Sequence, residues 1–152
     1  MKKEKIILFL EEARKHKDLL NKELKKLEKG KDIFNFSKTD NIIFSDAFIF
    51  RFIKLQSVLG EKIFPLFYEY LTGKDKREAT FIDILNTMEK YKIITSADFW
   101  KEIREIRNIF VHDYPQEDKV KKDALKRAID IVKDLFKIID KIQSILDKKN
   151  EK

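Results

Sequence analysis

Polar side chains with chemical potential crowd into one stretch of this chain, Arg104-Glu-Ile-Arg-Asn-Ile-Phe-Val-His-Asp-Tyr114. Within it Arg107 stands five positions before His112, Asn108 follows Arg107 directly, and Tyr114 lies two positions past the histidine. An imidazole titrates near neutrality and can take or give a proton in a transition state. A guanidinium is a fixed cation whose N–H groups fit phosphate oxygens. Together the two supply what RNA cleavage without a metal requires: removal of the 2′-hydroxyl proton, protonation of the departing 5′-oxygen, and neutralisation of charge on phosphorus. His112 and Arg107 are therefore the candidate catalytic residues. Asn108, one turn before the histidine, is placed to orient it or to hydrogen-bond RNA. Asp113 is placed either to support a charged imidazole or simply to face water. Arg104 can extend the phosphate contact, or pair structurally with Glu105 or Asn108. No carboxylate cluster that would hold two metal ions is present and no Gly-rich phosphate loop occurs, so neither a metal nor a cofactor is expected.

At about 100° per residue, Arg104, Asn108 and His112 stack along one helix face, whereas Arg107 lies roughly 140° around from His112. One ideal helix does not aim both at one small group. Either the helix loosens before His112, which Pro115 favours, or the site draws an Arg and a His from different chains about a two-fold axis.

The elements that must position this stretch read as helices throughout. Ile6, Leu10, Ala13, Leu20, Leu24 and Leu27 recur by threes and fours and predict a helix over 3–29, stopped by Gly30. His16, among Lys15 and Lys17, reads as a surface residue of that helix. Ser37, Thr39 and Asp40 can each cap the next helix, expected over 41–71. Its stripe of Phe44, Phe48, Phe52, Leu55, Leu59, Ile63 and Phe67 is widened by Ile49, Ile53, Leu66 and Leu71. So much apolar circumference calls for cover on more than one side, and an uncovered remainder would mark an interface. Arg51 reads as a long stem over apolar surface with its head in water. Pro65 should kink or break the helix, and Thr72-Gly73 should end it. A shorter helix is expected over 79–91, carried by Phe81, Ile84, Leu85 and Met88. Thr95 with Asp98 forms a capping-box pattern for the helix bearing the polar stretch, whose core stripe is Phe99, Ile103, Ile106 and Phe110. Pro115 stops that helix. The last runs over 117–147 on Leu125, Ala128, Val132, Leu135, Ile139, Ile142 and Leu146, with a lysine-rich end expected to fray. No strand alternation or repeat occurs, so the fold class is all-α: a compact antiparallel bundle of about five helices.

Composition agrees. The 152 residues suit a single domain, and 13 Phe with only 3 Gly and 2 Pro favour long helices over disorder. The absence of Cys excludes disulfides, thiolate metal sites and thiol nucleophiles, and fits a reducing cytoplasm. The basic residues before Ile6 precede a short apolar run, but Glu11, Glu12 and the continuing helical period argue against a signal peptide. No run of apolar residues is long enough to span a membrane, so no membrane association is expected. A net charge of +7, from 34 basic and 27 acidic residues, attracts polyanions, RNA included, although lysines interspersed with acids generally make a solvated helix surface.

Arg107-x4-His112-x-Tyr114, late in a helical chain and followed by one more long helix, resembles the motif of the HEPN superfamily, and most closely its HepT-like toxin branch. The resemblance implies an endoribonuclease toxin of a toxin–antitoxin pair, with paired Arg107 and His112 residues in a cleft of a homodimer. It also implies that Tyr114 is the residue a cognate minimal nucleotidyltransferase antitoxin adenylylates, placing negative charge and bulk in an RNA-binding cleft. A second reading is a non-catalytic, substrate-binding subunit of a nucleotidyltransferase; a third is a helical interaction module without chemistry.

Overall fold

The computed structural model describes residues 2–27, 33–112 and 118–150, and among them every regular element is helical. Helix α1 (Lys2–Leu27) buries Ile6, Leu10, Ala13, Leu20 and Leu24 along the expected stripe. The predicted stop at Gly30 lies outside the described residues. A turn region holding Ile33 in the core leads to α2 (Thr39–Ser57), a π-helical turn (Val58–Ile63) and α3 (Phe64–Thr72), which continue one another as a single rod. Then come a short 3₁₀ turn (Lys76–Glu78), α4 (Phe81–Lys90), α5 (Ala97–Val111) and α6 (Asp118–Asn150). Counting the α2–α3 rod once, five helices make the all-α bundle.

The irregularities have identifiable causes. Pro65 has no N–H to give, and its ring crowds the carbonyl four residues back. The rod absorbs this by widening just before it, where the Phe64 N–H donates to the Leu59 carbonyl five residues away. Gly73 ends α3 in the left-handed conformation at φ 73°, its N–H donating to the Glu69 carbonyl at 2.8 Å. Capping departs from expectation at two places. None of Ser37, Thr39 or Asp40 caps α2, whose N-cap is Lys38 without a side-chain bond. The capping box belongs to α4, where Thr80 and Asp83 exchange bonds, while α5 is capped by Ser96 rather than Thr95. Asp98 instead lies 3.9 Å from Lys101.

Packing is antiparallel. Arg14 donates to Gln143 at 2.7 Å and Lys17 lies 4.0 Å from Asp140, so α1 runs against α6. The Phe52 and Phe110 rings meet at 5.7 Å and the Phe64 and Trp100 rings at 4.6 Å, which runs α5 against the α2–α3 rod. One core joins all of these helices. Its members include the whole stripe from Phe44 to Phe67, together with Ile49 and Leu66. The chain therefore covers nearly all the apolar surface of the rod; Ile42, Ile43 and Phe50 are the large apolar side chains that remain exposed on it. The inference of an interface from a large uncovered remainder is corrected accordingly. None of the helices is long and apolar enough to cross a membrane.

Candidate functional site

The polar stretch rides on α5, and α5 is fixed by its buried face: Ala97, Trp100, Ile103, Ile106 and Phe110. Trp100, not Phe99, is the anchor, being fully buried while Phe99 only packs at the edge of the core. Room for its indole comes from Gly60 in the π turn. A Cβ there would lie 3.0 Å from Trp100 Cζ2. Each large side chain on this face contributes roughly 1.5–3 kcal/mol by burial. That outweighs the exposed Arg127–Glu102 fork between α6 and α5, at 3.0 and 2.9 Å, since such a surface pair is worth about 0–1 kcal/mol. The fork sets orientation: the Arg127 guanidinium holds the Glu102 carboxyl below its usual range. At the other end Ser96 Oγ accepts from the Phe99 N–H at 3.0 Å, and Glu89 of α4 accepts from the Ala97 N–H at 2.8 Å.

On this platform the candidate residues part company. Arg104 lies with its guanidinium carbon 4.8 Å from the Phe81 ring centroid, so a cation–π contact to α4 takes the place of pairing with Glu105 or Asn108. Arg107 is half-buried; its Nε is buried without a hydrogen-bond partner among the described residues, and its Nη1 reaches Asn108 Oδ1 at a long 3.4 Å. The side chain of Asn108 thus meets Arg107, while its backbone carbonyl accepts from the His112 N–H at 3.0 Å. His112 is exposed and is the first residue off the helix, at φ −89° and ψ 105°. The chain therefore stays helical through Val111 and turns away only at the histidine, so α5 does not loosen ahead of it. Asp113, Tyr114 and the expected stop at Pro115 lie outside the described residues.

Electrostatics favours an anion here only through side chains. The carbonyl end of a helix carries partial negative charge, which opposes a phosphate. Positive charge must come from side chains such as Arg107. No group of three or more His, Cys, Asp and Glu able to hold a metal ion occurs among the described residues.

One contact was not legible in the sequence. His16, expected at the surface, is half-buried, with Nδ1 3.3 Å from Nη1 of Arg51. Burial first, then the Arg51 and Lys54 charges, push the His16 imidazole below its ordinary value, with Glu12 opposing. Nothing local connects residues 16 and 51; only the packing of α1 on α2 does. Comparison with known proteins adds no relative: no family model, curated protein or solved structure matches the chain.

Proposed function

We propose that this chain is a metal-independent endoribonuclease of the HEPN kind, the toxin of a pair in which a cognate minimal nucleotidyltransferase acts as antitoxin. The observation that carries this reading is the order Arg107-x4-His112-x-Tyr114 at the end of a late helix, with one long helix after it. Support comes from the exposure of His112 and from a half-buried Arg107 whose stem is held by the protein. A group positioned by packing loses less freedom on meeting a phosphate than a free surface arginine.

In the reaction, the 2′-oxygen loses its proton and attacks phosphorus, the bond from phosphorus to the 5′-oxygen breaks, and that oxygen takes up a proton. The products are a 2′,3′-cyclic phosphate and a free 5′-hydroxyl. His112 serves one proton transfer, and the histidine of a second copy or a water serves the other. Arg107 neutralises the phosphorane oxygens. The regular course of α5 through Val111 supports a site completed by two chains, since five steps along an ideal helix set two side chains roughly 140° apart. Adenylylation of Tyr114 silences it by charge and bulk.

His112→Ala is expected to slow cleavage of single-stranded RNA by about a hundredfold to ten-thousandfold, the range of a general acid–base group, and Arg107→Ala by about a hundredfold to a thousandfold, the range of a lost charge-stabilising donor. Far-UV circular dichroism should stay unchanged. Undiminished cleavage in either variant removes that residue from the mechanism. In the same assay, a nucleotidyltransferase with ATP should add adenylyl mass to the Tyr114 peptide; label on another residue sinks the role of Tyr114 alone.

A further inference from the structure

Two cationic side chains lie over one exposed ring of α2, and one of them reaches His16 of α1. Arg51 Nη1 lies 3.3 Å from His16 Nδ1, and the Arg51 guanidinium carbon and Lys54 Nζ lie 5.0 and 5.3 Å from the Phe50 centroid. The Phe50 side chain is 51% exposed although the core is well covered elsewhere. Phe52 points to Phe110 of α5, and residue 50 lies about 160° around the helix from it. The cluster therefore sits on a different side of α2 from the helix that carries Arg107 and His112.

The Arg51–His16 contact is chemically informative. A guanidinium only donates, so a hydrogen bond at this contact needs Nδ1 of His16 as acceptor, which is the neutral ring with its proton on Nε2. Neither Arg51 nor Lys54 takes part in an ion pair among the described residues. Of the charged groups acting on His16, Arg51 and Lys54 are positive and Glu12 alone is negative. A half-buried arginine facing a neutral ring, beside a second unpaired cation, is a geometry that an oxyanion completes.

We propose that His16, Arg51 and Lys54 form a binding site for a phosphate group, with Phe50 as its aromatic wall. A phosphate oxygen set between Arg51 and His16 accepts from the guanidinium and from an imidazole that has taken up a proton. Lys54 supplies the third cation, and the Phe50 ring offers a face for an attached base. The phosphate belongs either to a free nucleotide or to the backbone of single-stranded RNA. This site uses none of Arg107, Asn108 or His112, so it stands or falls separately from the proposed cleavage.

Binding of an anion favours the charged imidazole and so raises the His16 titration midpoint; by linkage, affinity tightens as pH falls through that midpoint. The chain has 2 His, so His112→Ala leaves His16 as the one imidazole to follow by proton NMR. With uridine 5′-monophosphate or a single-stranded oligouridylate, the midpoint is expected to rise by about one pH unit, a tenfold preference for protonated His16. A rise at far lower concentration of oligonucleotide assigns the phosphate to RNA, and a rise with the mononucleotide alone assigns it to a free nucleotide. Arg51→Gln should remove the rise. Lys54→Gln, at an exposed position, should weaken it while leaving helix content unchanged. No rise with either ligand, or an undiminished rise in Lys54→Gln, overturns the proposal.

Discussion

Arg107 shows why a motif residue is more than its place in a pattern. Its stem is drawn into the protein until Nε has no hydrogen-bond partner among the described residues, which leaves the terminal nitrogens as the working end. The relation of Arg107 to His112 is local, five steps along the chain, and so can be read from the sequence. The His16–Arg51 contact joins positions 35 apart and cannot. It has a consequence for stability. The His16 value is lowered in the folded protein, so between that value and the ordinary 6.5 the unfolded chain binds more protons. Stability from this residue is then fully present above about pH 6.5 and is lost as pH falls toward the lowered value. Urea denaturation of wild type and His16→Gln at about pH 5.5 and 7.5 is expected to show a steeper loss in the wild type on acidification. Equal losses in the two proteins would contradict the assignment.

At the scale of elements, hydrophobic period gave the helices and side-chain chemistry gave some of the ends, because both are short-range signals. The stripe of α6 is buried as read, that of α1 is buried up to Leu24 with Leu27 half-buried, and Gly73 stops α3 as read. Spacing also allowed Trp100 with Ile103, Ile106 and Phe110, yet choosing between neighbouring aromatics at 99 and 100 requires knowing which faces the rod. The π turn was signalled only by Pro65; its pairing with Trp100 is tertiary. That pairing makes Gly60 sensitive. Alanine there gains about 1 kcal/mol of helix propensity. Its Cβ, however, meets an indole already packed at 4.6 Å against Phe64, and overpacking costs about 1–3 kcal/mol. The clash should prevail, so Gly60→Ala is expected to lower the urea midpoint; a raised midpoint would show that the indole yields.

For the whole molecule, the question is how many chains complete the site. The sequence suggested a dimer on two grounds, the apolar excess of the rod and the angle between Arg107 and His112 on an ideal helix. The apolar excess of the rod is largely covered within the chain, and α5 remains helical to Val111, the residue before His112. A heterodimer of Arg107→Ala with His112→Ala carries one intact Arg107 and one intact His112 on opposite chains. Activity recovered on mixing, from two proteins each inactive alone, is the expected outcome; a strictly monomeric yet active wild type would refute the two-chain site. Masking of this reading by sequence alone is physical: burial of a stripe depends on how five helices meet, which no local pattern encodes. The most direct test of the central claim is cleavage of single-stranded RNA by the wild-type protein in excess EDTA, with the product ends identified. Undiminished cleavage leaving 2′,3′-cyclic phosphate and 5′-hydroxyl ends, and absent in His112→Ala, is the expected result. Cleavage lost in EDTA and restored by a divalent ion, or no cleavage of any RNA, would contradict it.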